Sequence, residues 1–158
     1  MPRSDQDTLR VAQILLEGPQ PGSAALRRAA STAYYAVFQR LSALCAQCLS
    51  RARVSSPEYR RAYRVLEHKQ VRDALSRSAD FKASLGVPFG ELQDIRQWAD
   101  YNVSTHPDEA YARSGKRFKI WEARDSVETA REVIAFIDNL DPPTRRRLAA
   151  LLIVRDRR

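Results

Sequence analysis

The sequence predicts an all-α protein: an antiparallel bundle of about five helices followed by a short C-terminal helix. Three observations carry this expectation. Apolar residues recur at spacings of three and four through most of the chain, as on one face of a helix. Only 5 glycines occur in 158 residues, too few for the turns of a β-rich fold. Capping and breaking residues also divide the periodic stretches into helix-length pieces.

Ser4 with Asp7 marks a first helix start, and Leu9, Ala12, Leu15 and Leu16 form its apolar face. Gly18-Pro19-Gln20-Pro21-Gly22 ends it. Ser23 is expected to cap a second helix running to about Leu49, with a stripe through Leu26, Ala30, Ala33, Tyr34, Val37, Leu41, Leu44, Cys45 and Cys48. At 1.5 Å per residue this helix is about 40 Å long, enough to be the spine of a bundle. Ala29, Ala30, Ala33 and Ala36 let a neighbouring helix approach closely.

Ser56 before Pro57 starts a third helix, with the serine as cap and the proline at the first helical position. Its stripe of Tyr59, Ala62, Tyr63, Leu66, Ala74 and Leu75 is interrupted near Glu67-His68. Residues 76–88 are of mixed polarity, contain Gly86 and Pro88, and read as a loop. A fourth helix spans about Phe89 to Tyr101 and presents Leu92, Ile95 and Ala99. Residues 103–121 are the least periodic part of the chain. A fifth helix from about Trp121 carries Val127, Ala130, Ile134, Ile137 and Leu140. Asp141-Pro142-Pro143 stops it, and Asp141 caps a last helix through Val154, where Arg145, Arg146 and Arg147 face an apolar end. The chain reads as one domain over residues 1–158, with a core at about 5–140 and a basic C-terminal extension at 141–158.

Composition narrows the function classes. With 44% hydrophobic and 29% charged residues the chain is an ordinary globular one, and its net charge of +8 suits a phosphate-bearing partner. A genome that favours arginine codons accounts for the same charge. No apolar run approaches the roughly 18 residues of a membrane span. The polar, acidic start Met1-Pro2-Arg3-Ser4-Asp5-Gln6-Asp7 is unlike a secretory signal, so a cytoplasmic location is expected. Cys45 and Cys48 share a helical face, but a metal site needs about two further ligands, and the only histidines are His68 and His106. Both cysteines are therefore read as small buried apolar residues. Nothing in the pattern requires a cofactor or a metal.

The candidate site centres on Asp94-Ile95-Arg96-Gln97-Trp98-Ala99-Asp100-Tyr101-Asn102. Here a fixed cation on an amphipathic helix is followed at once by a polar, turn-prone stretch reaching His106. On an ideal helix Arg96 and Asp100 share a face, and Tyr101 is turned about 140° away. An exposed Arg96–Asp100 pair is then the plain structural reading, and a phosphate cleft requires the helix to end near Tyr101. The adjacent Tyr34 and Tyr35 point about 100° apart, so one is expected in the core and the other at a groove against the fourth helix. Arg27 and Arg28 begin the second helix, either solvated or in contact with phosphate. His68 and Tyr63 read as structural. The Leu92/Ile95/Ala99 face and Trp98 cannot all be covered in one small bundle with the Arg96 edge open, so a homodimer pairing two fourth helices is expected.

Two segments carry a resemblance: Leu26-Arg27-Arg28-Ala29-Ala30-Ser31-Thr32-Ala33-Tyr34-Tyr35-Ala36-Val37-Phe38, and Arg96-Gln97-Trp98-Ala99-Asp100-Tyr101. Together they resemble the HEPN family of small helical bundles, over roughly residues 5–140. In that family an arginine-rich helix carries Ala-Tyr-Tyr-Ala and a later helix carries Arg-x-x-Ala-Asp-Tyr. The resemblance implies a helical fold, dimerisation through the arginine-bearing helix, and metal-independent RNA cleavage in a toxin–antitoxin or defence module. It equally implies the alternative of a catalytically inactive interaction module that binds a minimal nucleotidyltransferase or another protein. Catalytic members carry arginine, four to six intervening residues, and then histidine. Here Tyr101 stands in that place, and the next histidine is His106.

Cleavage without metal needs a base for the ribose 2′-hydroxyl and a cation for the crowded phosphorane. Arginine suits the cation's task, because its planar fork matches phosphate oxygens and never loses charge. A tyrosine, ordinarily near pKa 10, is handicapped as a base by roughly 4 kcal/mol at neutral pH. The expected catalytic set is Arg96, with Tyr101 as hydrogen-bond donor and His106 as base if the loop folds back. Arg27, Arg28, Tyr35 and Asn102 are the expected RNA- or phosphate-binding residues.

Overall fold

The computed structural model of the protein describes residues 4–50, 53–101 and 120–154. Those residues form a helical bundle of seven α-helices and contain no strand. The helices are α1 (Ser4–Ile14), α2 (Ser23–Leu49), α3 (Pro57–Tyr63), α4 (His68–Arg77), α5 (Val87–Tyr101), α6 (Ile120–Asn139) and α7 (Pro142–Ile153). The long α2 is the spine and packs against α1, α3, α5, α6 and α7. Ala29, Ala30, Ala33 and Ala36 are fully buried on it, so the neighbouring backbones come close. Leu41 and Leu44 of α2 join Leu75, Leu85, Phe89, Leu92, Ile137, Leu148 and Leu152 in one core. Each such side chain stabilises the fold by about 1.5–3 kcal/mol through burial. Leu148 and Leu152 belong to α7, so that helix shares the main core.

Several local expectations change. The residue capping α2 is Gly22 in extended conformation, with no side-chain cap, and Ser23 is already the first helical residue. Gly18, at φ +139°, takes a backbone conformation that a side chain resists and so releases the chain from α1. Ser56 caps α3, its Oγ accepting from the Tyr59 N–H at 3.1 Å. The interruption near Glu67-His68 is a complete break: α3 ends at Tyr63 and α4 begins afresh at His68.

The stretch expected as a loop at 76–88 is largely helical. A π-helical turn, Lys82–Gly86, leads directly into α5, and the Gly86 N–H donates to the Phe81 carbonyl at 3.0 Å. Pro88 is the second residue of α5, directly after the π turn. Gly86 is there for close approach, since a Cβ would lie 2.8 Å from the Leu75 carbonyl oxygen. That neighbour is backbone at the end of α4 and cannot swing aside. Gly86→Ala should therefore destabilise the fold by about 1–3 kcal/mol, the usual cost of overpacking. Urea unfolding measures this, and an unchanged midpoint would contradict the close approach.

Asp141 caps α7, accepting from the Thr144 N–H at 3.2 Å, as the Asp141-Pro142-Pro143 signal suggested. The expectation for the cysteines holds for Cys45 only. Cys45 is buried, with burial pushing its thiol pKa up to about 12, whereas Cys48 is exposed. The physical reason is position: residues 47–49 at the end of α2 are all exposed.

The α5 face expected to need a second copy is covered within the chain. Leu92 and Ala99 are buried, while Ile95 and Trp98 pack, partly buried, against Leu26, Ala30 and Ala123. No helix among the described residues is long and apolar enough to cross a membrane.

Candidate functional site

Three helices converge on one cluster. From α2 come the adjacent Tyr34 and Tyr35, from the first turn of α4 comes His68, and from the last turns of α5 come Arg96, Asp100 and Tyr101. The two tyrosines divide as their helical spacing requires. Tyr34 is fully buried, with its ring 5.4 Å from that of Phe89. Burial pushes its hydroxyl pKa far above the ordinary value, and nearby Arg96 only partly counters this. Tyr35 is half-buried at the edge, where its Oη accepts a hydrogen bond from Arg96 Nη2 at 2.5 Å.

Arg96 is not the exposed residue of a simple surface pair, because its side chain is only 15% exposed. Its Nε lies 2.9 Å from Asp100 Oδ2 without hydrogen-bond alignment, so the contact is Coulombic. The guanidinium carbon lies 5.9, 5.2 and 5.3 Å from the ring centres of Tyr34, Tyr35 and Tyr101. Burial disfavours the charge, but the Tyr35 hydrogen bond and the Asp100 carboxylate outweigh it and raise the Arg96 pKa. Each ring adds about 0.5–1 kcal/mol of cation–π attraction. Tyr101 is 69% exposed, yet its ring still reaches Arg96. A five-residue offset turns its Cα away, and the long side chain sweeps back.

The other expected site residues fare differently. Arg27 is committed to the fold: its Nε donates to the Ala99 carbonyl at 2.9 Å and its guanidinium sits 5.6 Å from the Trp98 ring centre. It thus satisfies a carbonyl in the last turn of α5 and leaves the Arg96 cluster. Arg28 is exposed on the surface of α2. Asn102 and His106 lie outside the described residues.

One member of the site escaped the sequence reading, and another was read there only as structural. Arg72 of α4 forms a two-pronged pair with Asp94 of α5, Nη2 to Oδ2 at 3.1 Å and Nη1 to Oδ1. This pair locks α4 to α5 directly beside the cluster. His68 lies further in, its ring centre 4.0 Å from that of Phe38 and its Nδ1 2.5 Å from Tyr34 Oη. The one hint in the sequence was its place at the break between two helical stripes.

Burial lowers the His68 pKa from its ordinary value, and the Arg96 charge lowers it further. In the unfolded chain the same imidazole titrates near 6.5. The unfolded state therefore binds more protons than the folded state between that value and the lower folded one. This contribution is fully present above about pH 6.5 and is lost as acid takes the pH down through that window. Urea midpoints at pH 7.5 and 5.5 should fall with acid, and the fall should shrink in His68→Gln. Equal falls in both proteins would show that His68 does not titrate this way.

Chemically, the cluster is a set of hydrogen-bond donors around one cation. No described residue bonds Arg96 Nη1, and Tyr35, which accepts from Nη2, keeps its own O–H to donate. The exposed Tyr101 ring adds a platform on which a base can stack. On α5 itself, residues 97–101 supply no imidazole. Among the described residues no three or more His, Cys, Asp or Glu side chains are grouped as metal ligands. Two open grooves lie elsewhere, one beside Trp121 between α1 and α6, the other between α4 and α7, and neither contains Arg96. Compared with known proteins, the chain matches no family model, no curated protein and no solved structure.

Proposed function

We propose that the chain binds RNA, or a nucleotide, through phosphate contacts at Arg96 and Tyr35 with Tyr101 as a stacking surface. One observation carries the reading. Arg96 is a buried-edge cation held in place by the Tyr35 hydroxyl and the rings of Tyr34, Tyr35 and Tyr101, with Nη1 bonded to no described residue. A pre-positioned fork of this kind suits a phosphodiester oxygen and loses little freedom on binding.

The resemblance to HEPN proteins supports the same reading, because its two short signatures, far apart in sequence, meet at the Tyr35–Arg96 hydrogen bond. On that resemblance the protein works as a cytoplasmic homodimer in a toxin–antitoxin or defence module. Metal-independent endoribonuclease activity is its enzymatic form. Tyr101 at the position of the motif histidine favours binding over cleavage, since a phenol is a weak base. The missing motif histidine is also what favours the rival, a catalytically inactive interaction module that binds a nucleotidyltransferase or another protein.

Filter binding of a single-stranded ribo-oligonucleotide separates the two. Association is expected at low salt and should weaken steeply towards physiological salt as phosphate counterions are released. Light scattering of the same sample at micromolar concentration should give the mass of two copies. Absence of any association at low salt would overturn the RNA reading and leave the protein-interaction one.

A further inference from the structure

The imidazole of His68 has no part in the reading so far, yet it shares both tyrosine rings with Arg96. Tyr34 lies 5.6 Å from the His68 ring centre and 5.9 Å from the Arg96 guanidinium carbon; Tyr35 lies 6.1 and 5.2 Å from the same two groups. The ring cannot turn freely, because Phe38 packs across it with centres 4.0 Å apart and Tyr35 meets it edge-on.

The proton on this ring can be placed from its neighbour. Tyr34 Oη is fully buried, and His68 Nδ1 is its hydrogen-bond partner at 2.5 Å. A buried hydroxyl that keeps its proton must donate it, or leave a costly unmet donor. Tyr34 keeps its proton, since burial strongly disfavours the phenolate. His68 Nδ1 therefore accepts, and a neutral imidazole with an accepting Nδ1 carries its hydrogen on Nε2. No described residue takes a hydrogen bond from that Nε2.

The electrostatic setting favours an anion there. His68 is the first residue of α4, at the positive end of the helix dipole, whose first turn holds no acidic side chain and whose N-cap Glu67 makes no capping hydrogen bond. The titratable and charged groups facing the ring from other helices are Tyr34 and Tyr35 of α2 and Arg96 of α5; Glu67 and Lys69 flank it in the chain, and Arg72 of α4 is paired with Asp94. Asp100 is held against Arg96 Nε.

We propose that His68 is a third ligand of the phosphate at this site, donating Nε2–H in a tautomer that Tyr34 fixes. This inference rests on the Arg96 reading above and deepens it. Tyr34 is then a positioning residue, acting only through His68. The ligand class is the same, a phosphodiester or phosphate monoester, now held from three helices by Tyr35 of α2, His68 of α4 and Arg96 of α5. The opposing account is a satisfied core histidine that touches no ligand.

Two measurements on the full chain test the proposal. Long-range proton–nitrogen spectra of the ¹⁵N-labelled protein should show His68 as the Nε2–H tautomer, and Tyr34→Phe should convert it to a mixture. Anisotropy of a labelled single-stranded ribo-oligonucleotide should then show His68→Leu binding about ten- to a hundredfold more weakly, the loss of one hydrogen bond to a charged group. His68→Gln, whose terminal amide N–H falls near the Nε2 position, should stay within about threefold of the parent. A parent His68 in the Nδ1–H form overturns the proposal, and so does His68→Leu binding as the parent does. A folded His68→Gln as weak as His68→Leu overturns the donor role. If His68→Leu does not fold, the His68 Nε2 resonance of the parent decides: a saturable shift on adding RNA is expected, and no shift overturns the proposal. Failure of the parent protein to bind at low salt is a different result, which removes the Arg96 reading itself.

Discussion

Replacing Arg96 with alanine should weaken RNA binding at least thirtyfold, about 2 kcal/mol, as removal of a charge-assisted phosphate contact does. Arg96→Lys should fail almost as badly. An ammonium lacks the planar fork, and it cannot both keep the Tyr35 Oη contact and reach a phosphate oxygen. The fold should pay a modest cost in both variants. The Tyr35 bond and the ring contacts are lost, and the partly buried position makes the change larger than at an exposed helical pair, about 1–2 kcal/mol. Tyr101→Phe should leave melting unchanged and weaken binding only slightly, because the 69% exposed ring acts mainly by stacking. Anisotropy with thermal melting on each variant reads both effects. A sharp fall in melting temperature for Arg96→Ala with unchanged RNA affinity would make Arg96 a purely structural residue.

The largest effect on stability should come from Asp138→Ala. Arg40 of α2 is only 6% exposed at its side chain, and its Nε bonds Asp138 Oδ1 of α6 at 2.7 Å. Removing the carboxylate strands a buried guanidinium, which typically costs 3–5 kcal/mol. Because Asp138 is itself 30% exposed, water can reach the vacated edge, and about 3 kcal/mol is the expected loss. In a chain of this size that is a fall of roughly 6–12 °C in melting temperature. Asp138→Asn, which keeps an acceptor for Arg40, should lose less. RNA affinity should be unaffected in both, because the pair lies on the α2–α6 side, away from α5. A melting temperature within a degree or two of the parent's would show that α2 and α6 are held by apolar packing alone.

Periodicity and capping made most of the bundle legible. The bounds of α2, the Ser56 and Asp141 caps, and the extent of α6 all follow from local signals that need no tertiary partner. What local signals miss is compensation from elsewhere in the chain. Gly86 and Pro88 mark a loop in isolation, but packing of the π turn on the Leu75 carbonyl makes that glycine part of a helical path. The Arg96–Asp100 pair was visible from its four-residue spacing, and the division of Tyr34 from Tyr35 from their adjacency. Neither the depth of Arg96 nor the commitment of Arg27 to the Ala99 carbonyl was visible, since both depend on how α2 crosses α5. The contact of His68, read as structural, with Tyr34 was not visible either. A lone histidine at a helix break carries no periodic signal, and only the approach of α4 to α2 sets it against Tyr34.

The most direct measurement of the central claim is the guanidinium region of the proton–nitrogen spectrum as a single-stranded ribo-oligonucleotide is added at low salt. The account predicts a saturable shift of the Arg96 Nη signals together with the Tyr35 hydroxyl proton, at the concentration where anisotropy reports half-binding. Shifts confined to Arg145, Arg146 and Arg147, with Arg96 and Tyr35 unmoved, would contradict it and place the RNA contact on the surface of α7.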